Sequence, residues 1–110
     1  MSNFSGFRHM WMIVMFDLPV ISKKQRKRAT RFRADLLDLG FRMSQYSVYM
    51  KFSGTREATN SLSGRVEKLV PNHGAVTILT LTDKQYGTMK VIRGHHDDPA
   101  NTERKQLLLL

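Results

Sequence analysis

The stretch Met10-Trp11-Met12-Ile13-Val14-Met15-Phe16-Asp17 decides the fold. Seven consecutive apolar residues end in a carboxylate, and Pro19 follows two positions later. A bilayer span takes about 20 apolar residues, so a run this short predicts a strand instead. Residues of both parities are apolar, which predicts a strand covered on both faces. Pro19 ends it and holds Leu18 extended. The two parities set a packing problem. Met12, Val14 and Phe16 share one side, while Trp11, Ile13 and Met15 share the other. One layer of helices covers only the first set, and the second would form a large exposed apolar patch.

Outward from this strand, Ser22 and Gln25 have the spacing of a capping box and predict a helix reaching about Leu39. Ala29, Phe32, Leu36 and Leu39 form its inner stripe, and Gly40 suits the left-handed position just past its end. Two extended stretches follow, 41–43 and 47–52, with Val48, Met50 and Phe52 alternating with Ser47, Tyr49 and Lys51. A second helix is predicted from about Arg56 to Val70, with Ala58, Leu62, Val66 and Leu69 inward, broken by Pro71, Asn72 and Gly74. Residues 75–82 are rich in β-branched side chains and read as a strand. Residues 82–85 read as a turn, and Thr88 to Arg93 as a short final strand. The order β-α-β-β-α-β with that extra C-terminal strand is the ferredoxin-like α+β sandwich, an antiparallel sheet with both helices on one face. A symmetric homodimer joined through the bare sheet face is the simplest cover for Trp11, Ile13 and Met15. The 110 residues are read as one domain, with its core over about 10–93 and a tail over 94–110 ending in four leucines.

Eighteen Lys and Arg against nine Asp and Glu give a net charge of +9, which points to a polyanionic partner, nucleic acid first. The absence of cysteine excludes disulfides and zinc–thiolate sites. Met1 to His9 lacks the apolar core of a signal peptide, so a cytoplasmic protein without membrane attachment is expected. The charge is concentrated. Lys23, Lys24, Arg26, Lys27, Arg28, Arg31 and Arg33 place seven cations in eleven residues with no acid among them. Solvated helix faces usually mix both signs, so these seven are the candidate nucleic-acid-binding residues. Backbone contacts carry no base information, and the expected binding is sequence-independent. Phe41, Tyr46, Tyr49 and Phe52 are read as packing residues. The cluster His95-His96-Asp97-Asp98 is read as solvated tail, and His73 as a loop residue. Ser22 and Ser47 have no neighbouring histidine to activate them.

Asp17 is the candidate for chemistry. A carboxylate ending an apolar strand is costly if buried without a counter-charge. Two such groups across a two-fold axis would repel, and a shared Mg²⁺ would neutralise them. The alternative is that Asp17 only caps a turn or accepts hydrogen bonds near Pro19.

Together, the strand ending in Phe16-Asp17-Leu18-Pro19, the basic helix from Lys23 to Arg33, Gly40-Phe41 and Gln45-Tyr46-Ser47-Val48-Tyr49 resemble the CRISPR-associated Cas-two family over roughly residues 10–93. They look most like its members found beside a single large effector nuclease. The resemblance implies a prokaryotic homodimer with facing sheets and a final strand that often joins the partner's sheet. It implies that Asp17 lies near the two-fold axis as catalytic residue and Mg²⁺ ligand of an endonuclease acting on RNA or double-stranded DNA. It also implies a role in spacer acquisition, in which the dimer bridges two dimers of the Cas-one integrase and supports a prespacer duplex. Many members carry tyrosine where this chain has Phe16.

Overall fold

In the computed structural model, residues 9–94 are described. Strand β1 (Met10–Asp17) is followed by helix α1 (Lys23–Asp38), strands β2 (Arg42–Gln45) and β3 (Val48–Gly54), helix α2 (Arg56–Leu69), strand β4 (Ala75–Thr82) and a single helical turn, α3 (Asp83–Tyr86). The sheet order is β2-β3-β1-β4, with every pairing antiparallel. This is the expected ferredoxin-like arrangement, with β1 in the middle beside β3 and β4.

The local signals act as read. The Ser22 hydroxyl accepts from the Gln25 amide, and the Gln25 side chain accepts from the Ser22 amide, closing the capping box at the start of α1. At its end, the Phe41 amide reaches the Leu36 carbonyl and the Gly40 amide reaches Leu37, a Schellman motif. Gly40 adopts φ 96°, a value that favours glycine. No basic side chain lies in the last turn of α1. The cation that suits this helix end comes from β3 instead: Lys51 Nζ donates to the Leu39 carbonyl at 2.6 Å.

Directly paired residues on antiparallel strands share a face, so the register separates two surfaces. Met12, Val14 and Phe16 meet Phe32 and Leu36 of α1 and Leu62 and Val66 of α2 in one core, which also takes in Phe41 and Tyr49. Fully burying side chains such as Phe32, Met12, Leu36 or Val14 contributes about 1.5–3 kcal/mol each. The inner stripe of α2 differs from expectation by one position. Ala58 is exposed and Thr59 is buried. The hydroxyl of Thr59 donates to the Thr55 carbonyl at 2.8 Å. That leaves Ser53 to donate to Thr59 across 2.7 Å, so the buried pair is satisfied.

On the opposite surface Trp11 pairs with Phe52 and Leu81, and Ile13 with Met50 and Leu79. Here the structure corrects two expectations. Residues 82–85 are not a plain turn, because a second capping box, Thr82 with Gln85, starts α3. Thr88 to Arg93 form no strand, because a strand needs a ladder of backbone hydrogen bonds and this segment makes none with either open edge of the sheet, β2 or β4. It leaves α3 and reaches the β2 side, where Arg93 donates to the Ser44 carbonyl at 3.0 Å. The chain therefore covers one corner of its own open face. Tyr86 stacks on Trp11 with ring centroids 3.7 Å apart, and the Trp11 indole donates to Asp83 at 2.7 Å. Phe52 and Leu79 on the same face remain exposed.

Candidate nucleic-acid interface

Helical geometry divides the seven cations into two groups. At about 100° per residue, Lys23, Lys24, Lys27, Arg28 and Arg31 fall on one outward arc of α1, while Arg26 and Arg33 lie on the other flank of the inner stripe. All five of the first group are exposed. Lys24, Lys27, Arg28 and Arg31 line one open groove of about 530 Å³, floored by Phe32 and by Leu69, Pro71 and Asn72 at the end of α2. Arg31 leans on Asp35 at 3.3 Å, a surface pair worth about 0–1 kcal/mol. The part played by α2 and the residues after it is not encoded in the α1 sequence and could not be read from it.

The distribution of charge opposes the helix dipole. The first turn of α1 is basic and contains no acid, whereas acids favour that end. The two acids of α1, Asp35 and Asp38, sit near its C-terminus. Helix α2 follows the favourable pattern, with Glu57 in its first turn and Lys68 in its last. Lys23 and Lys24 are thus not there to stabilise the helix.

Arg26 and Arg33 are held by the fold. Arg26 Nη1 donates to the carbonyls of Val20 at 3.2 Å and Ile21 at 2.8 Å, tying down the loop before α1. The Arg33 guanidinium lies 4.6 Å from the Tyr46 ring centroid and 5.5 Å from that of Phe16. Phe41 and Tyr49 are core residues, Phe52 is exposed beside Trp11, and Tyr46 is half-buried under Arg33.

Asp17 closes β1 on the side of Trp11, Ile13 and Met15, opposite the helices. It is exposed, and among the described residues its carboxylate makes no hydrogen bond or ion pair. The expected cost of burying it therefore does not arise within one chain, and it does not cap a turn. Its backbone is tightly placed. The Phe16 amide donates to the Ser47 carbonyl at 3.1 Å, Asp17 pairs with Ala75, and Gly74 lies against the Asp17 carbonyl and Leu18. Among the described residues no group of three His, Cys, Asp or Glu could hold a metal ion. Mg²⁺ is often held by one or two carboxylates plus water and phosphate oxygens, so a single exposed Asp17 carboxylate fits such an ion where water and phosphate complete its shell. His73 is exposed at the end of the loop entering β4. The stretches His95-His96-Asp97-Asp98 and Leu107 to Leu110 lie outside the described residues.

A small antiparallel α+β protein with a basic outer helix face is the class these features define. The family described as CRISPR associated protein Cas2 matches residues 10–89. The chain belongs to that family. It is 49% identical over 96 residues to a protein of Paracidovorax avenae, covering 87% of this chain and 89% of the relative. It is 38% identical over 108 residues to one of Flavobacterium psychrophilum, covering 98% and 94%. Both relatives are named CRISPR-associated endoribonuclease Cas2. A solved structure described as "Crystal structure of cas2" superposes with a TM-score of 0.54 at 23% identity, covering 82% of this chain and 94% of that one, and supports the fold. Among the described residues no helix is long and apolar enough to cross a membrane.

Proposed function

We propose that this chain is a spacer-acquisition subunit that works as a homodimer, bridges Cas-one dimers and carries a prespacer duplex on its basic helices. The observation that carries the nucleic-acid part is the cluster of five exposed cations on α1, two of which, Lys23 and Lys24, oppose the preference of the helix dipole. Phosphates are the ligand that makes such a cluster worthwhile, and contacts to them fix position without reading sequence. Exposed Phe52 and Leu79 on the open sheet face support pairing of two copies through that face. The family membership supports the CRISPR setting.

A second reading is favoured by the relatives' names: a Mg²⁺-dependent endonuclease cleaving RNA or duplex DNA, with Asp17 from both copies as its metal ligands. A bound divalent ion would supply charge neutralisation at a phosphate. This chain would contribute the placement of its carboxylate, set by the Gly74 packing and the Phe16–Ser47 hydrogen bond. The remaining components of a hydrolytic site are sparse: among the described residues the Asp17 carboxylate is hydrogen-bonded to no general base.

Asp17→Ala separates the two readings. The side chain is exposed and unpaired, so stability should change by less than about 0.5 kcal/mol. Spacer integration in cells should persist and duplex affinity should be unchanged. Loss of integration together with loss of Mg²⁺-dependent cleavage of labelled RNA or duplex would replace the scaffold reading with the nuclease one.

A further inference from the structure

Arg33 has a role that the outer face of α1 does not explain. Its Nε is buried and has no hydrogen-bond partner. Among the described residues its guanidinium makes no hydrogen bond and no ion pair, so its terminal nitrogens are left free to take a ligand. Its orientation is nevertheless fixed, 4.6 Å over Tyr46 and 5.5 Å from Phe16. Tyr46 belongs to the two-residue turn between β2 and β3, and that turn is tied to β1. Ser47 holds φ 64°, and its carbonyl receives the Phe16 amide at 3.1 Å. A cation half-buried without a counter-charge is costly, and each unsatisfied buried group calls for an account.

We propose that Arg33 is a phosphate-binding residue, pre-set by the Tyr46 ring, that grips bound nucleic acid at the Asp17 end of the sheet. This rests on the nucleic-acid reading above. A planar guanidinium stacked on an aromatic ring is oriented for two parallel hydrogen bonds to one phosphodiester. Arg33 lies on the opposite flank of α1 from Lys24 and Arg28. Nucleic acid held there is therefore gripped at a second place, around the sheet end, beyond the outer helix face.

The test uses the full chain and a fluorescent duplex of arbitrary sequence, with affinity measured across a salt series. Arg33→Met should weaken binding several-fold and lower the salt slope by about 0.9 for each copy bound. Arg33→Lys should keep the slope, since its charge remains. In the unaltered protein, bound duplex should shield Arg33 from an arginine-selective dicarbonyl reagent, a readout that does not depend on any variant folding. A slope unchanged by Arg33→Met, with only a lower melting temperature, would overturn the proposal, as would reagent attack at the same rate with and without duplex. So would loss of dimerisation in Arg33→Met, which would assign the free guanidinium to an acid of a second copy. If the unaltered protein itself shows no salt-dependent binding, the nucleic-acid reading fails first, and that outcome is distinguishable from the others.

Discussion

Replacing Lys24, Lys27, Arg28 and Arg31 together by glutamine should abolish duplex binding at physiological salt while leaving the fold intact. These four line one groove, and all are exposed. If each neutralises one phosphate, a pair of copies neutralises about eight, giving a slope near −7 in log K against log salt. The unaltered protein should then lose about 10⁴-fold in affinity between 50 and 200 mM salt. The variant should lose about seven units of that slope and keep only the shallow remainder supplied by Lys23 and Arg33, read by fluorescence anisotropy. Its stability should hold. The Arg31–Asp35 surface pair contributes about 1 kcal/mol at most. Removing Lys24 from the first turn relieves a contact that opposes the helix dipole, a gain of a few tenths of a kcal/mol. A variant that folds and still binds with the original salt slope would show that the phosphates lie elsewhere.

Gly74→Val should destabilise the fold by about 3 kcal/mol or more, through strain and overpacking at once. Gly74 adopts φ 98°, which a β-branched residue rarely adopts. A Cβ there would sit 2.7 Å from the Asp17 carbonyl and 2.9 Å from Leu18 Cδ2. The Leu18 methyl can turn aside, but the Asp17 carbonyl is backbone and does not yield readily, because Asp17 is tied to Ala75 in the β1–β4 ladder. For a domain of this size the melting temperature should fall by roughly 12 °C or more. Gly64→Ala is the matched control. It lies within α2, a Cβ there meets nothing within 4 Å, and the change should stabilise by about 0.5–1 kcal/mol. Equal effects at both glycines would contradict the packing described at the Asp17 end.

Local chemistry was the legible part of this chain. The apolar run before Asp17 specified the central strand, and Ser22 with Gln25 specified the start of α1 to the residue. Gly40 specified its end. Each of these signals acts within a few residues of itself. What could not be read depends on contacts distant in the chain. Thr59 takes the inward place expected of Ala58 because Ser53, on the neighbouring strand, shares its hydroxyl. Thr88 to Arg93 has strand composition but pairs with neither open edge of the sheet, β2 or β4. Tyr86 and Asp83 cover Trp11 from 72 or more positions away, which no periodicity reveals. Asp17 was expected to need a counter-charge because it ends an apolar run. Its exposure at the strand's end removes that need. Arg26 and Arg33 belonged to the charge run in sequence, and only their partners, the loop carbonyls and the Tyr46 ring, separate them from the outer face.

The central claim is that two copies pair and together present their α1 cations to one stretch of nucleic-acid backbone. Sedimentation equilibrium of a short fluorescent duplex, titrated with the full chain at low salt, tests this directly. One chain is 12.7 kDa, so the account predicts that the duplex gains 2 × 12.7 = 25.4 kDa in a single step. A gain of 12.7 kDa, or no gain at all, would contradict it.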